Sequence, residues 1–283
     1  MRLPDDIDLN ATLFSGQTFL WKRLDGGYLG CVGGSAVWIN EAHNLTWDGP
    51  ADEAYWLNYF DAGRDYAAIA ARYAHDPYVS AAFSEYGGMR ILNQPAWETL
   101  CAFVISANNN IARIGGIIAK LSERFGEKRC IVGQTVYAFP QPEAFLNAGE
   151  TGLRACGLGY RAPYLLGCAR HISEGFDLSS LPSMGYDAAL KALMTLPGVG
   201  EKVADCILLF ACGYPNAFPV DVWVRRVMCT LYGARDNITA IKSEGLRLFG
   251  GDAGVVQQAL FHAARMGKLC GMNNEKLTMH NGG

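Results

Sequence analysis

The residues best suited to covalent chemistry are a lysine at a helix start and an aspartate 19 positions later. Lys202 lies in "LPGVGEKVADCILLF", in the first turn of a predicted helix. The positive end of the helix dipole opposes a cation there, and partial desolvation would favour the neutral amine further. A neutral amine is a nucleophile, whereas most lysines are solvated surface cations. From the residues alone, both roles stay open for Lys202.

Asp221 begins a further predicted helix, in "PVDVWVRR". Pro215 and Pro219 separate this helix from the preceding one, because proline does not continue a helix. An aspartate at a helix start most often caps it by accepting a backbone N–H. Beside an amine, the same carboxylate can also direct a proton and stabilise a developing cation. Both interpretations of Asp221 stay open as well.

The turn before Lys202 joins two predicted helices, "DAALKALMTL" and "EKVADCILLF", through "PGVG". Gly198 and Gly200 allow a tight turn and a close approach that a Cβ would block. The N–H groups that begin the second helix favour an anion such as a phosphate diester. A bare G-x-G is most often only a turn, but the longer L-P-G-V-G-x-K-x-A frame indicates a helix-hairpin-helix that binds DNA phosphates.

The elements that must position these residues show two patterns of apolar residues along the sequence. The first fifty residues alternate polar and apolar positions, with glycine and asparagine between the runs, as an antiparallel meander does. From Asp52 onward, apolar residues recur at helical spacing. We therefore predict an α+β protein, with a small β-rich N-terminal domain at residues 1–86 and a mainly α-helical domain at residues 87–283.

Composition limits the cellular compartment and the binding partners that we expect. "MRLPDDIDLN" lacks the apolar core of a signal peptide, and no run is long enough to span a bilayer, so we expect a chain that is not secreted and has no membrane partner. The nine cysteines are scattered without a C-x-x-C pair, which favours reduced thiols. A net charge of −3 opposes broad nucleic-acid binding, so any DNA-binding surface has to be a local basic face.

Together, "LPGVGEKVADCILLFACGYPNAFPVDVWVRR" resembles the catalytic segment of the helix-hairpin-helix-GPD DNA glycosylases, and most closely that of the 8-oxoguanine DNA glycosylases. The resemblance extends from "FSGQTFLW" to "GVVQQALFHAAR". It implies a monomeric base-excision repair enzyme acting on double-stranded DNA with an oxidised guanine opposite cytosine, and on formamidopyrimidine as a second substrate. Lys202 would attack C1′, Asp221 would stabilise the transition state, and the Schiff base would permit strand cleavage by β-elimination.

The resemblance also assigns the residues that face the opposite strand. Asn108 in "SANNNIARI" would enter the gap left by the flipped base, and Arg113 would hydrogen-bond the remaining cytosine. In "GLGYRAPY", Tyr160 would be a wedge between bases and Arg161 the second cytosine contact. Without the resemblance, a Tyr-Arg pair is more often surface packing, and asparagines between helices are more often caps.

The base pocket is assigned in the same way. The carbonyl of Gly16 in "FSGQTFLW" would accept the N7 hydrogen that 8-oxoguanine has and guanine lacks. Gln257 would bind the amide edge of the base, while Phe261 and Cys206 would cover its two faces. By themselves, Gln257, Phe261 and Cys206 would be assigned to core packing, and Gly16 to a turn.

One position departs from the pattern. Trp223 stands where eukaryotic relatives carry a histidine that contacts phosphate, and Arg225 or Arg226 would have to compensate. No cofactor is expected. The iron–sulfur spacing C-x6-C-x2-C-x5-C of related enzymes is missing, since only Cys229 and Cys270 come after Cys212. The resemblance allows a K⁺ or Na⁺ ion at the hairpin carbonyls of residues 196–199.

Two other functions compete with this interpretation. Glycosylases for alkylated bases keep the aspartate but lack the lysine, so Lys202 counts against them. A non-catalytic DNA-binding protein would use the hairpin alone and would leave Asp221 unexplained. As a repair enzyme, the protein is expected in the cytoplasm of a prokaryote, associated with the nucleoid, or in the nucleus of a eukaryote.

Overall fold

A four-stranded antiparallel sheet follows one short helix at the start of the chain, and helices form most of the remainder. The computed structural model describes residues 1–269. Its strands are β1 (Trp21–Leu24), β2 (Gly27–Val32), β3 (Ser35–Asn40), β4 (Leu45–Asp48), β5 (Lys128–Ile131) and β6 (Gln134–Tyr137). Its α-helices are α1 (Leu9–Phe14), α2 (Glu53–Tyr59), α3 (Tyr66–Arg72), α4 (Pro77–Tyr86), α5 (Ala96–Ser106), α6 (Ile111–Phe125), α7 (Pro142–Ala155), α8 (Ala162–Ser173), α9 (Tyr186–Leu193), α10 (Glu201–Ala211), α11 (Val222–Leu231), α12 (Ile238–Phe249) and α13 (Ala253–Arg265).

The described chain divides into two compact units. The first unit contains residues 1–63 and 90–214, and the second contains residues 64–89 together with the part of the chain that begins at Pro215. Both units are therefore discontinuous in sequence. The boundary expected between residues 86 and 87 is a division along the sequence and stays a prediction.

The N-terminal sheet confirms the predicted meander. Its strands pair in the order β1-β2-β3-β4, each antiparallel to the next, with Tyr28 opposite Ile39 and Val37 opposite Trp47. One face of the sheet belongs to an apolar core that includes the fully buried Trp56 of α2. Large aromatic side chains account for much of the area that this core removes from water.

A second hairpin, β5–β6, lies in the segment that sequence patterns predict as helical. Its turn places Val132 and Gly133 at φ +46° and +74°, the left-handed conformation of a tight hairpin. Ile131 and Val136 are buried in a small core with Leu29 of the first sheet. Each strand has only four residues, so its alternation is too short to be distinguished from a helical pattern.

Two buried helices form the support for the lysine. Every residue of α5 from Trp97 to Ile105 is buried, and α5 packs against α10. Phe103 and Phe210 stack between them with ring centroids 5.5 Å apart. The backbone N–H of Gln94 donates to the carbonyl of Phe210 at 2.7 Å, which fastens the entry of α5 to the end of α10.

The second unit is built around α4 and α13, which pack against each other, while α13 also contacts α11 and α12. The Tyr73 hydroxyl donates to the carbonyl of Phe249 at 2.6 Å. Gly245 lies directly against the ring of Phe218, where a Cβ would come within 2.6 Å. No helix within residues 1–269 is long and apolar enough to cross a membrane.

Candidate active site and DNA-binding residues

The hairpin before Lys202 has two glycines in different situations. Gly198 adopts φ +77°, and a Cβ there would lie 2.9 Å from the side chain of Tyr164. Gly200 is the N-cap of α10 with φ −91°, and a Cβ there would meet open space. The turn itself therefore requires glycine at Gly198 only. At Gly200 the missing side chain leaves the first N–H groups of α10 uncapped by any side chain and open to a ligand.

Lys202 lies on the first turn of α10, over the end of α5. Its Nζ donates to Oγ of Ser106 at 3.4 Å and lies 5.3 Å from the centroid of the Phe103 ring. The Ser106 hydroxyl itself donates to the carbonyl of Phe103 at 2.7 Å, so its oxygen is oriented to accept from the lysine. The amine thus has one polar and one aromatic neighbour in a part-buried site.

The two residues after the first turn of α10 are both buried, and the first of them fastens that helix. Asp205 is buried and accepts a hydrogen bond from the hydroxyl of Tyr186, the first residue of α9. This bond ties the two helices of the hairpin together across the turn. Cys206 is buried one turn beyond Lys202 on the same helix, as the four-residue spacing predicts.

The three asparagines between α5 and α6 have separate roles. Asn110 caps α6, with its Oδ1 accepting from the N–H of Arg113 at 2.9 Å. Asn109 donates from Nδ2 to the carbonyl of Ile105 at 3.1 Å and so closes the end of α5. Asn108 is exposed at φ +48°, a left-handed conformation that asparagine tolerates better than most residues. The capping interpretation therefore holds for Asn110, and Asn108 is presented on the surface.

Tyr160 and Arg161 hold this loop by hydrogen bonds to its backbone carbonyls. Arg161 is 3% exposed, and its guanidinium donates to the carbonyl of Ala107, from Nε at 2.9 Å, and to that of Asn108 at 3.0 Å. The Tyr160 hydroxyl donates to the same Ala107 carbonyl at 3.3 Å, and the guanidinium lies 4.4 Å from the Tyr160 ring centroid. In this structure Arg161 positions the loop. Its contact with cytosine stays a prediction, as does that of the exposed Arg113.

Gly16 adopts φ +92° in the loop after α1, a conformation that strains any other residue. The fully buried Gln17 holds this loop in place. Its Nε2 donates to the carbonyls of Thr12 and Arg90 at 2.9 and 2.8 Å, and its Oε1 accepts from the N–H of Leu92 at 2.9 Å. Sequence reasoning missed Gln17. The available signal was an uncharged polar residue directly after a glycine and before an apolar run.

In the second unit, Asp221 caps α11. Its Oδ1 accepts from the N–H of Val224 at 2.8 Å, and the intervening Val222 is 77% exposed. Arg225 forms an exposed ion pair with Asp236, with Nη2 and Oδ2 2.8 Å apart. The predicted use of Arg225 at a phosphate would therefore compete with this ion pair.

Arg226 lies over the face of Trp223, 5.9 Å from the ring centroid. The tryptophan and the arginine thus form one amphipathic surface next to Asp221.

Helix α13 carries Gln257, Phe261 and Arg265 on successive turns. Gln257 is 4% exposed, and its Oε1 has no hydrogen-bond partner among the described residues. Phe261 lies one turn later, with the guanidinium carbon of Arg265 5.7 Å from its ring centroid. Burial lowers the pKa of Arg265, and the carboxylate of Asp221 acts in the opposite direction. The electrostatic influence of Asp221 thus reaches the end of α13 that carries Phe261.

Each unit brings together a different subset of the predicted residues. The first unit carries Gly16, Asn108, Arg113, Tyr160, Arg161, Gly198, Gly200, Lys202 and Cys206. The second unit carries Asp221, Gln257 and Phe261.

A cavity of about 440 Å³ opens within the first unit, between β1, β2, α6 and β6. Its lining contains none of the predicted site residues, so it is a feature separate from the lysine site.

Side chains that bind metals are dispersed over the fold. Within residues 1–269, no group of three or more histidine, cysteine, aspartate or glutamate side chains is placed to hold a metal ion. Cys270 lies outside the described residues. The expected absence of an iron–sulfur cluster and the monovalent cation at residues 196–199 both stay predictions.

Known proteins share both the sequence pattern and the fold. The model of the HhH-GPD superfamily of base excision DNA repair proteins matches residues 101–247, and that of the N-terminal domain of 8-oxoguanine DNA glycosylases matches residues 2–100. A Methanothermobacter thermautotrophicus protein named "Probable N-glycosylase/DNA lyase" is 33% identical, over 95% of this chain and 97% of its own. The Arabidopsis thaliana N-glycosylase/DNA lyase OGG1 is 31% identical over 78% of this chain and 65% of its own.

Among solved structures, the Clostridium acetobutylicum 8-oxoguanine glycosylase/lyase, in complex with double-stranded DNA containing cytosine opposite 8-oxoguanine, has a TM-score of 0.87. It is 34% identical, and the match covers 93% of both chains. This chain belongs to the HhH-GPD superfamily of base excision DNA repair proteins. Within that superfamily, its N-terminal domain is that of the 8-oxoguanine DNA glycosylases, as the resemblance predicted.

Proposed function

We propose that the protein is a bifunctional DNA glycosylase and lyase that removes 8-oxoguanine opposite cytosine and then cleaves the strand. One observation carries this proposal: the amine of Lys202 lies part-buried at the start of α10, directly after a glycine turn with open backbone N–H groups. A phosphate diester held at those N–H groups would bring a deoxyribose towards the amine. Proximity of this kind lowers the barrier to attack because the reacting groups are already held together.

In the proposed reaction, the lone pair of Lys202 Nζ forms a bond to C1′ while the bond from C1′ to the base breaks. The electron pair of that bond leaves with the base, which takes up a proton. Asp221, as a carboxylate, stabilises the positive charge that develops on the sugar and accepts a proton from the attacking amine. The nitrogen lone pair then forms a C1′=N double bond while the C1′–O4′ bond breaks and O4′ takes up a proton, which opens the ring and gives a Schiff base. Loss of a C2′ proton then expels the 3′ phosphate by β-elimination.

The buried amide of Gln257 supports recognition of a base. A buried carbonyl oxygen without a donor costs about 1–3 kcal/mol, and the Watson–Crick edge of a guanine carries N–H donors that would satisfy it. Gly16 would supply a carbonyl for the N7 hydrogen of 8-oxoguanine, and Phe261 and Cys206 would enclose the ring. The Gly16 carbonyl would accept a hydrogen bond from N7 of 8-oxoguanine, whereas the N7 lone pair of guanine would repel it. Discrimination against guanine would come from this difference.

On the opposite strand, the exposed side chain of Asn108 would fill the gap, with Tyr160 beside it. Arg113 and Arg161 would donate to the unpaired cytosine, and Arg161 would exchange one loop carbonyl for the base. Formamidopyrimidine is proposed as a second substrate, and a K⁺ or Na⁺ ion at the carbonyls of residues 196–199 as a structural ligand. The enzyme would act as a monomer on cellular DNA, in prokaryotic cytoplasm or in a nucleus.

Borohydride trapping on a duplex with 8-oxoguanine opposite cytosine tests the nucleophile. We expect the native protein to form a covalent adduct and Lys202→Gln to form none. Lys191→Gln, which changes an exposed lysine on the other helix of the hairpin, is the matched control and should trap normally. An adduct with Lys202→Gln would show that another group attacks. Duplex binding by the native protein without base release would favour the non-catalytic alternative.

A further inference from the structure

Tyr164, on the first turn of α8, is in direct contact with the turn of the hairpin. A Cβ built on Gly198 would lie 2.9 Å from Cβ, Cγ and Cδ2 of Tyr164, so the tyrosine covers the α-carbon of that glycine. One turn later on α8, a Cβ on Gly167 would lie 2.8 Å from Cγ of Pro197. The tyrosine is therefore part of a close helix-to-turn contact in which glycine occurs on both sides.

The same helix fixes the turn by a polar contact. Sγ of Cys168 donates to the carbonyl of Pro197 at 3.3 Å. Because Pro197 and Gly198 are both held against α8, the direction in which the hairpin presents its N–H groups depends on this helix.

The Tyr164 ring also packs against Tyr160. The two rings pack edge to face, with centroids 6.3 Å apart and an interplanar angle of 82°. Tyr160 in turn donates to the carbonyl of Ala107, next to the left-handed Asn108. A continuous series of contacts thus runs from the loop of Asn108 through Tyr160 and Tyr164 to Gly198, all within the first unit.

Tyr164 is 40% exposed in spite of these contacts, so part of its ring borders on solvent. Edge-to-face aromatic pairs and dense packing against a backbone limit a ring to one orientation. Because Tyr164 contacts both Gly198 and Tyr160, its side chain links the two neighbouring surfaces.

We propose that Tyr164 is a positioning residue that couples the phosphate-binding hairpin to the gap-filling surface of Tyr160 and Asn108. This rests on the proposed function, because both surfaces are assigned to DNA there. Because of this coupling, the hairpin that binds the phosphate of the lesion strand and the residues that insert into the base stack stay at a constant distance from each other. Loss of the ring would slow excision where the base has to be extruded, and would weaken binding of undamaged duplex much less.

The contacts that tie Tyr164 to both neighbours are made by its ring and its Cβ, which makes Tyr164→Phe a matched control. In single-turnover excision at saturating enzyme, we expect Tyr164→Phe to remain within about twofold of the native rate. Tyr164→Ala should slow excision of 8-oxoguanine opposite cytosine by about tenfold or more, with a change below about threefold in the Kd for undamaged duplex. Tyr164→Leu keeps bulk over Gly198 but loses the aromatic edge, and should be intermediate.

A double-mutant cycle separates coupling from a loss of folding. Tyr160→Ala and Gly200→Ala should affect the excision rate non-additively in the native background and additively in Tyr164→Ala. Equal rates for Tyr164→Phe and Tyr164→Ala, or an unchanged coupling between Tyr160 and Gly200, would overturn the inference. A native protein that forms no borohydride adduct would instead overturn the proposed function.

Discussion

Nζ of Lys202 lies 3.4 Å from Oγ of Ser106, the last residue of α5. The proposed nucleophile on one helix is therefore oriented by the terminus of another. That terminus leads directly into the asparagine loop, so the amine and the loop share a single support.

Replacing Ser106 tests this support. Ser106→Ala removes the hydrogen-bond acceptor of the amine and should slow adduct formation by roughly three- to tenfold, about the value of one ordinary hydrogen bond. The rate of borohydride trapping measures the effect. Ser173→Ala is the control, because its hydroxyl also donates to a carbonyl of its own helix, at Ala169, but on an exposed part of α8. Equal rates for both variants would mean that Ser106 has no role at the amine.

The capping role of Asp221 and the role of its carboxylate charge can be tested separately. Asn caps helices as well as Asp does, so Asp221→Asn should keep the thermal stability within about 0.5 kcal/mol. It should still bind DNA but lose most of its turnover, because the carboxylate charge is gone. Asp221→Ala should lose the cap too, at about 1 kcal/mol. Thermal unfolding and single-turnover excision distinguish the two. Full turnover by Asp221→Asn would reduce Asp221 to a cap.

The two hairpin glycines should respond differently to alanine. Gly198→Ala places a Cβ against Tyr164 at positive φ and should destabilise the protein by at least about 1 kcal/mol. Gly200→Ala meets no protein atom and should leave the melting temperature nearly unchanged while weakening DNA binding. Melting curves and fluorescence anisotropy with duplex DNA give the comparison. Native affinity in Gly200→Ala would place the phosphate elsewhere.

Gln257→Met replaces a buried amide by an apolar side chain of similar length. Because Oε1 has no partner among the described residues, stability should be unchanged or slightly higher. Release of 8-oxoguanine should fall by about tenfold or more, whereas cleavage at a preformed abasic site should persist, since that step needs no base pocket. A parallel loss of both activities would indicate a structural role for Gln257.

Glu98 gives the protein a pH dependence that is independent of catalysis. Burial raises the pKa of its carboxyl from 4.5 to about 8, opposed by the hydrogen bond from the N–H of Gly33. The folded state holds this proton more tightly than the unfolded chain does, so the stabilisation is complete below about pH 4.5 and is lost as the pH rises towards 8. Glu98→Gln should show a smaller fall in melting temperature between pH 5 and pH 8, whereas the exposed Glu123→Gln should behave as the native protein does.

Local chemistry made much of the fold predictable. The meander was predictable from short runs separated by glycine and asparagine, although β2 is buried along its whole length, and the starts of α6 and α11 are set by Asn110 and Asp221 as caps. The hairpin at Gly198 was predictable because its frame is long and specific.

Features that depend on distant partners were not predictable. Gln17 is buried because its amide bonds to Arg90 and Leu92, more than 70 residues away. The strands β5 and β6 exist because the first sheet offers an apolar surface for Ile131 and Val136. The internal use of the Arg161 guanidinium was also hidden, because a sequence does not show which carbonyls a loop will expose.

The pairing of α4 with α13 has a consequence for folding during synthesis on the ribosome. Between the end of α4 at Tyr86 and the start of α13 at Ala253 lie 166 residues. At a ribosomal speed of about 5–20 residues per second, α4 waits for its partner for roughly 8–33 seconds. During that interval the face of α4 that packs against α13 stays exposed, so a chaperone can bind the nascent chain at this helix.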